Sequence, residues 1–227
     1  MRDSRATVRR GTMLGRVIHF SKPLNQSMEP IDGFILAGGS SSRMGTDKSQ
    51  LLLNGETFIQ HIANALLNIA GTVTIVGRQL DDPRFKSKPD VYPHWGALGG
   101  VHAALSGCVA EWAIIVACDM PYVSGDLFSR LAGLRGDSEA VAPVQPDGRP
   151  QPLCALYRVA PCVTAAEKLI QTGERKPVTL LQSVRTRWVG FRELMDLPRA
   201  DRLFDNMNTP EDYSRASMKG VNLQTKD

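Results

Sequence analysis

The chain predicts an α/β fold: a single doubly wound, mostly parallel sheet with helices on both faces. Three observations carry this. Short apolar runs without alternation recur at residues 34–37, 73–76 and 112–117, the pattern of strands buried on both faces. Segments with helical spacing of apolar residues lie between and after them. Each run also empties into glycine or an acid, at the strand ends where open α/β sheets bind their ligands.

The elements follow in order. Phe34 to Ala37 is the first strand, followed by Gly38, Gly39, Ser40, Ser41 and Ser42. Ser49 to Leu53 is apolar and meets Asn54-Gly55, a tight-turn signal. From Thr57 the positions Ile59, Ile62, Ala63, Leu66, Leu67 and Ile69–Ala70 recur at helical spacing until Gly71. Val73 to Val76 is the second buried strand, closed by Gly77-Arg78. Asp81 to Pro93 is polar and proline-containing, hence a surface connection, with Val91–Tyr92 read as strand. Gly96-Ala97-Leu98-Gly99-Gly100 reads as a glycine-rich loop opening a helix over Val101 to Leu105. Trp112 to Ala117 is the third buried strand and ends at Cys118-Asp119-Met120-Pro121.

Ser124 to Leu134 is helical, Ala140 to Val144 and Leu153 to Tyr157 are strands, and Asp147-Gly148 is a turn between them. Val159 to Thr172 is a helix stopped by Gly173, and Lys176 to Ser183 is a second, shorter one. Phe204 to Asn208 reads as extended, and Thr209-Pro210-Glu211-Asp212 starts a last helix with proline at its first position. No internal repeat and no second domain is visible. The organisation is a basic, disordered extension at residues 1–29, one domain at 30–217 and a tail at 218–227.

Composition narrows the function. The net charge of +4 invites a nucleic-acid reading, but its position argues against one. Arg2, Arg5, Arg9, Arg10, Arg16 and Lys22 face only Asp3 and Glu29 in the first 29 residues, which leaves the remainder formally neutral. That segment lacks the apolar core of a signal peptide, and a start of translation at Met28 is the simplest account of it. No apolar run reaches the roughly 20 residues of a membrane helix. Cys108, Cys118, Cys154 and Cys162 have no zinc-ligand spacing and read as reduced thiols of a cytoplasmic protein. The four histidines suggest no nucleophilic triad.

The chemistry concentrates in residues 36–48. Adjacent glycines and serines let backbone N–H groups turn toward a ligand, and a row of such groups binds phosphate. Arg43 and Lys48 add positive charge on either side, so the loop suits a polyphosphate. The spacing is neither that of a Walker A loop nor of a dinucleotide fingerprint. Asp119, just past a buried strand, is placed to reach into the cleft and bind Mg²⁺ through oxygen.

Leu-Ala-Gly-Gly-x-Ser-x-Arg-Met-Gly-x-Asp-Lys, from Leu36 to Lys48, resembles the signature of the MobA-like nucleotidyltransferases, most closely the molybdenum cofactor guanylyltransferases. Cys118-Asp119-Met120-Pro121 resembles the family's metal-binding Asp-x-Pro segment, and Gly96 to Gly100 its Gly-Pro-Leu-x-Gly loop beside base and ribose, with Ala97 in place of proline. Asp90 stands where the family carries an acid that contacts guanine, whose N1–H and N2–H₂ form a donor pair a carboxylate can accept. Many relatives have an asparagine after the second strand, where this chain reads Val76-Gly77-Arg78. Phe204 to Asp212 is similar to the family's Asn-x-Asn-Thr-Pro-Glu segment, so Asn206 and Asn208 are expected to orient metal or substrate phosphate. Gln151-Pro152-Leu153 and Gly173-Glu174-Arg175 correspond to pterin-side segments.

The resemblance implies a Rossmann-like nucleotidyltransferase fold and a Mg²⁺-dependent transfer of GMP from GTP to the terminal phosphate of molybdenum-molybdopterin. Arg43, Lys48 and Asp119 are its expected catalytic residues. Leu36, Ala37, Gly38, Gly39, Ser40, Ser42, Lys48, Asp90, Gly96, Gly100 and Asp119 are its expected nucleotide contacts. Proteins that deliver the pterin and accept the product are expected partners; nucleic acid and membrane are not. A cytidylyltransferase for the same pterin, a sugar-phosphate nucleotidyltransferase and a non-catalytic nucleotide-binding regulator remain alternatives. Gly38, where those sister enzymes carry alanine, favours the guanylyl branch.

Overall fold

A computed structural model describes residues 29–38, 51–53, 55–80, 82–92, 95–207, 212 and 223–225. Its centre is a seven-stranded sheet in the order β5-β4-β1-β6-β8-β7-β9, formed by Lys86–Lys88, Val73–Val76, Ile31–Leu36, Trp112–Ala117, Cys154–Arg158, Ala140–Pro143 and Thr186–Val189. β5, β4, β1 and β6 are mutually parallel. β8 runs antiparallel to both its neighbours, and β9 is parallel to β7. The expected α/β sheet is therefore present, with a single reversed strand.

Alternation along the central strands sends side chains to two helical layers. Ile31 and Ile35 of β1 and Trp112, Ile114 and Val116 of β6 pack with Ile59, Ile62, Leu127 and Phe128 of α1 (Phe58–Leu66) and α3 (Gly125–Gly133). Phe34, Leu36, Ala113 and Ile115 face α2 (Gly96–Gly107), α4 (Val159–Gln171) and α5 (Pro177–Ser183) on the other side. Each Leu, Ile or Phe so buried contributes on the order of 1.5–3 kcal/mol. Sequence caps set the helix starts. In α1 the Thr57 hydroxyl accepts from the Gln60 N–H at 3.2 Å, while the Gln60 side chain accepts from the Thr57 N–H at 2.9 Å. The Ser124 hydroxyl accepts from the Leu127 N–H at 3.2 Å to open α3.

A small second sheet, β10-β2-β3, is built from Leu223–Thr225, Leu51–Leu53 and Glu56–Thr57. Leu53 pairs with Glu56, and Gly55 between the two strands has φ +86°, the handedness of a tight hairpin connection. Leu223–Thr225, within the stretch read as a tail, pairs antiparallel to β2.

Five local expectations are corrected. Val91–Tyr92 is a bend, and the strand of that connection is β5, a charged edge strand held by backbone pairing to β4. The glycines from Gly96 to Gly100 form the first turn of α2 itself rather than a loop before it. β9 was not expected: its Arg187 and half-buried Trp188 give no apolar run, and pairing with β7 makes the strand. Leu203 and Phe204 lie in a turn after a 3₁₀ segment at Ala200–Arg202, so the stretch from Phe204 is not extended from its start. Helix α1 also stops at Leu66, short of Ala70, where Ile69 and Ala70 donate back to the Leu66 carbonyl.

Candidate functional site

Parallel pairing brings three strand ends level. Leu36 sits beside Val76 on one side and Ala117 on the other. The chain leaves β1 with the Ala37 N–H donating to the Val76 carbonyl at 2.9 Å, and leaves β6 with the Cys118 N–H donating to the Leu36 carbonyl at 3.1 Å. Ala37-Gly38, Gly77-Arg78 and Cys118-Asp119 therefore emerge together at one edge. This is the crevice position in which open α/β sheets hold ligands. Because β8 is antiparallel to β6, Gln151-Pro152-Leu153 ends at the same edge, with the Leu153 carbonyl accepting from the Ala117 N–H at 2.9 Å. Gln151 is buried there.

Asp90 joins this edge from the strand side. The Gly77 N–H donates to the Lys88 carbonyl at 2.9 Å, which hangs the β5–Asp90 segment from the end of β4. The Asp90 carboxylate lies over two glycines: a Cβ on Gly38 would stand 3.2 Å from it, and one on Gly77 3.4 Å. On its other side Gly100 packs against Leu36, with a Cβ there 3.9 Å from the same carboxylate. The group is half-buried, and burial raises its pKa above the ordinary aspartate value. Among the described residues no donor reaches it. Among them, Asp90 is an acceptor presented at the edge without a hydrogen-bond partner.

Gly99 and Gly100 of α2 divide their work. Gly100 makes room for Leu36 and Asp90, while a Cβ on Gly99 would meet the Trp95 Cβ at 2.8 Å. Gly96, at φ +71°, is exposed at the start of the helix. Trp95 then ties this corner to the segment before α5. Its indole N–H donates to the Glu174 carbonyl at 3.0 Å, and the Arg175 guanidinium stacks 4.9 Å above its ring. The Glu174 carboxylate accepts from the Arg175 and Lys176 N–H groups and the Thr179 hydroxyl, bonds that hold its pKa below the ordinary value. The segment at 173–176 is thus fixed against the Trp95 corner.

At the β6 end, Asp119 is half-buried, and its carbonyl accepts from the Met207 N–H at 2.8 Å. Met207, Leu203 and Phe204 are buried, which anchors the approach of this segment to Asp119. The Arg202 guanidinium stacks 4.0 Å over the Tyr122 ring and donates to its hydroxyl, a second tie to the loop after β6. Asn206 is exposed beside this junction. Among the described residues no three acids, histidines or cysteines cluster as a closed metal site. One half-buried carboxylate at a strand end suits Mg²⁺, which keeps its waters and binds through one or two carboxylates plus substrate phosphates.

The sequence-predicted residues thus fall into three groups. Leu36, Ala37, Gly38, Asp90 and Asp119 gather at one edge, Asn206 is delivered to it by its neighbour's hydrogen bond, and Gly96 is exposed at the start of α2. Gly100 is buried behind Asp90 and acts on the site through its packing. Gly39, Ser40, Ser42, Arg43, Lys48 and Asn208 lie outside the described residues. Two residues were missed, Gly77 and Trp95. For Gly77 a signal existed: asparagine, common at that place in relatives, and glycine are the residues that most readily take positive φ, and Gly77 has φ +85°.

Comparison with known proteins agrees with this arrangement. The family model of the MobA-like NTP transferase domain matches residues 33–186. A protein of Pelotomaculum thermopropionicum named "probable molybdenum cofactor guanylyltransferase" is 32% identical over 196 residues, covering 85% of this chain and 95% of its own. The molybdenum cofactor guanylyltransferase of Vibrio atlanticus is 36% identical over 190 residues, covering 80% of this chain and 92% of its own. Among solved structures, molybdopterin-guanine dinucleotide biosynthesis protein A from Archaeoglobus fulgidus aligns with a TM-score of 0.68 at 23% identity, over 83% of this chain and 98% of that one. The 2-C-methyl-D-erythritol 4-phosphate cytidylyltransferase of Thermus thermophilus aligns with a TM-score of 0.60 at 16% identity, over 82% of this chain and 97% of that one. These structural likenesses speak to the fold. With its phosphate-loop signature, strand-end acids and matched domain, the chain belongs to the MobA-like NTP transferase family.

Proposed function

We propose that the chain transfers GMP from GTP to the terminal phosphate of molybdenum-molybdopterin, giving molybdopterin guanine dinucleotide and pyrophosphate. The observation that carries the reading is Asp90. It offers a half-buried carboxylate next to Gly38, where the phosphate loop begins, with no donor among the described residues. Guanine presents two adjacent donors, N1–H and N2–H₂, whereas cytosine and adenine present one amino donor beside a ring acceptor. A carboxylate complements the first pattern and repels the ring acceptor of the others. The names carried by the relatives support the same substrates.

In the proposed reaction, a phosphate oxygen of the pterin attacks the α-phosphorus of GTP in line with the departing pyrophosphate. A phosphate monoester has a second pKa of about 6, so the nucleophile is already ionised at neutral pH and needs no general base. The residues then bind, align and neutralise. The Gly38 to Ser42 N–H groups hold the β- and γ-phosphates. Arg43 and Lys48 offset the charge developing on the leaving group, and Asp90 fixes the base. Asp119 would hold Mg²⁺, and Asn206 and Asn208 would orient the metal or the substrate phosphate. When bound, the metal supplies positive charge to the phosphate oxygens. We assign the activity to the cytoplasm, with proteins that deliver the pterin and accept the dinucleotide as partners; among the described residues no helix is long and apolar enough to cross a membrane.

Pyrophosphate release from GTP, CTP, ATP and UTP, with Mg²⁺ and molybdenum-molybdopterin, tests the proposal. Turnover with GTP alone is expected. Preference for CTP would move the chain to the cytidylyl branch, and no turnover with any nucleotide would make it a non-catalytic binding module.

A further inference from the structure

Arg202 holds together two separate pieces of the Asp119 end of the sheet, and no step of the reaction uses it. Its guanidinium stacks 4.0 Å over the Tyr122 ring and donates to the Tyr122 hydroxyl. Tyr122 is buried in the loop that follows Asp119. The Arg202 Nε lies 3.5 Å from the Asp205 carboxylate, and the Asp205 N–H donates to the Arg202 carbonyl at 3.0 Å. Asp205 directly precedes Asn206, and Met207, directly after Asn206, donates its N–H to the Asp119 carbonyl at 2.8 Å. Leu203 and Phe204 join the core beside α1 and α3, whereas Asp205 and Asn206 are exposed and Met207, though buried, belongs to neither core. Beyond Phe204 the segment is therefore fastened by polar contacts. It is entered through Arg199 at φ +57°, a left-handed conformation that a non-glycine residue keeps where its surroundings over-determine it.

We propose that Arg202 is a positioning residue for the metal end of the site: by holding Tyr122 and Asp205 together it keeps Asn206 docked at the junction with Asp119 before Mg²⁺ arrives. The proposal rests on the Mg²⁺ reading of Asp119 and adds a determinant that acts without touching metal or nucleotide. Without the clasp the segment is docked for only part of the time, and a ligand that needs the docked form binds more weakly by that fraction. Saturating metal restores the docked form and with it the rate. The signature is a shifted metal constant with kcat preserved, which a general loss of stability does not produce.

The test uses the full chain, Arg202→Ala and Arg130→Ala. Arg130 donates to the Glu193 carbonyl and pairs with Asp196 at 2.6 Å, so its variant loses an arginine tie between α3 and the segment after β9 instead. Amide hydrogen exchange without ligand reads the docking directly. The Met207 N–H should exchange about 10-fold faster in Arg202→Ala, the factor that goes with one hydrogen bond from a charged group. The Cys118 N–H, bonded to the Leu36 carbonyl, should exchange as before, which marks the opening as local. The Mg²⁺ concentration for half-maximal turnover with GTP should also rise about 10-fold, with kcat at saturating Mg²⁺ within about 3-fold. Arg130→Ala should move none of these. Unchanged Met207 exchange in Arg202→Ala, or faster exchange with an unchanged metal constant, overturns the proposal. No Mg²⁺ dependence in the unsubstituted chain overturns the metal reading of Asp119 and the proposal with it, so the two failures are distinct. Should Arg202→Ala fail to fold, Tyr122→Phe keeps the ring and removes only the hydroxyl that accepts from Arg202. It must shift both readings in the same direction by about 3-fold, and no shift overturns the proposal.

Discussion

Two aspartates stand at opposite edges of the same sheet, and their surroundings differ in kind. Asp32, in β1, belongs to the edge where β1, β4 and β6 begin. It is 6% exposed, and its carboxylate accepts from the Thr72 hydroxyl at 2.8 Å and the Ala110 N–H at 3.2 Å. The Cys108 thiol also points at it from 3.7 Å, its pKa pushed up to about 12 by burial. Thr72 and Ala110 precede β4 and β6, so Asp32 fastens two loops to β1. Asp90 belongs to the edge where the same strands end. It is surrounded by glycine backbone, has no donor among the described residues, and burial raises its pKa. A buried acid that is satisfied stabilises its own fold; one left open costs stability and gains a ligand. The sheet is closed at one edge and receptive at the other.

The largest expected effects lie at the receptive edge. Asp119→Ala should abolish Mg²⁺-dependent turnover while the far-UV circular dichroism stays unchanged; activity at ordinary Mg²⁺ would remove Asp119 from the metal site. Lys48→Ala should lower kcat by on the order of 10²-fold, more than it raises KM for GTP, as expected for one lost electrostatic contact in the transition state. Unchanged turnover would refute that role.

The contrast is sharpened by making the same substitution at both edges. Asp90→Asn should lower kcat/KM for GTP by about 10- to 100-fold, with Tm equal or higher, because the charge removed is desolvated and has no donor among the described residues. Asp32→Asn should do the reverse: it costs about 1–3 kcal/mol of stability and leaves nucleotide preference intact. If both variants lost stability and neither lost preference, the distinction between the edges would fall.

The pH dependence follows from the sign of the Asp90 shift. A raised pKa means protonation sets in at a higher pH than for an ordinary aspartate. The protonated acid accepts less, so KM for GTP should rise as pH falls through that raised value, and Asp90→Asn should flatten this acid limb. Stability runs the other way, since the folded state binds the proton more tightly than the unfolded chain does: Asp90's cost is present above the raised pKa and is relieved as pH falls through it. The smallest effect is expected at Trp95→Phe, which removes the indole N–H bond to Glu174 at a cost of about 1 kcal/mol. A loss above about 3 kcal/mol would mean the ring itself holds the corner together.

How much of this was legible depends on which interactions hold each part. β4 and β6 match their apolar runs residue for residue, because strands buried on both faces advertise themselves in composition. β5, Lys-Ser-Lys, and β9, Thr-Arg-Trp-Val, are edge strands without an apolar run, and backbone pairing to β4 and β7 makes them strands. The strand-end acids Asp90 and Asp119 were readable from motif, and the sheet brings them to one edge. For Gly77 the positive φ had a signal, but its close approach to Gly38, a residue distant in sequence, did not. The glycines of α2 were readable as a group but not in their division of labour, which needs Trp95 and Asp90 in place.

The central claim is that Asp90 selects guanine by accepting from its two adjacent donors. The most direct measurement is the ratio of kcat/KM for GTP over ITP in the unsubstituted chain and in Asp90→Asn. The account predicts a lead for GTP of about 10-fold or more that vanishes in the variant, in keeping with a charged hydrogen bond gained and lost. An equal lead in both would contradict it and place guanine selection elsewhere in the site.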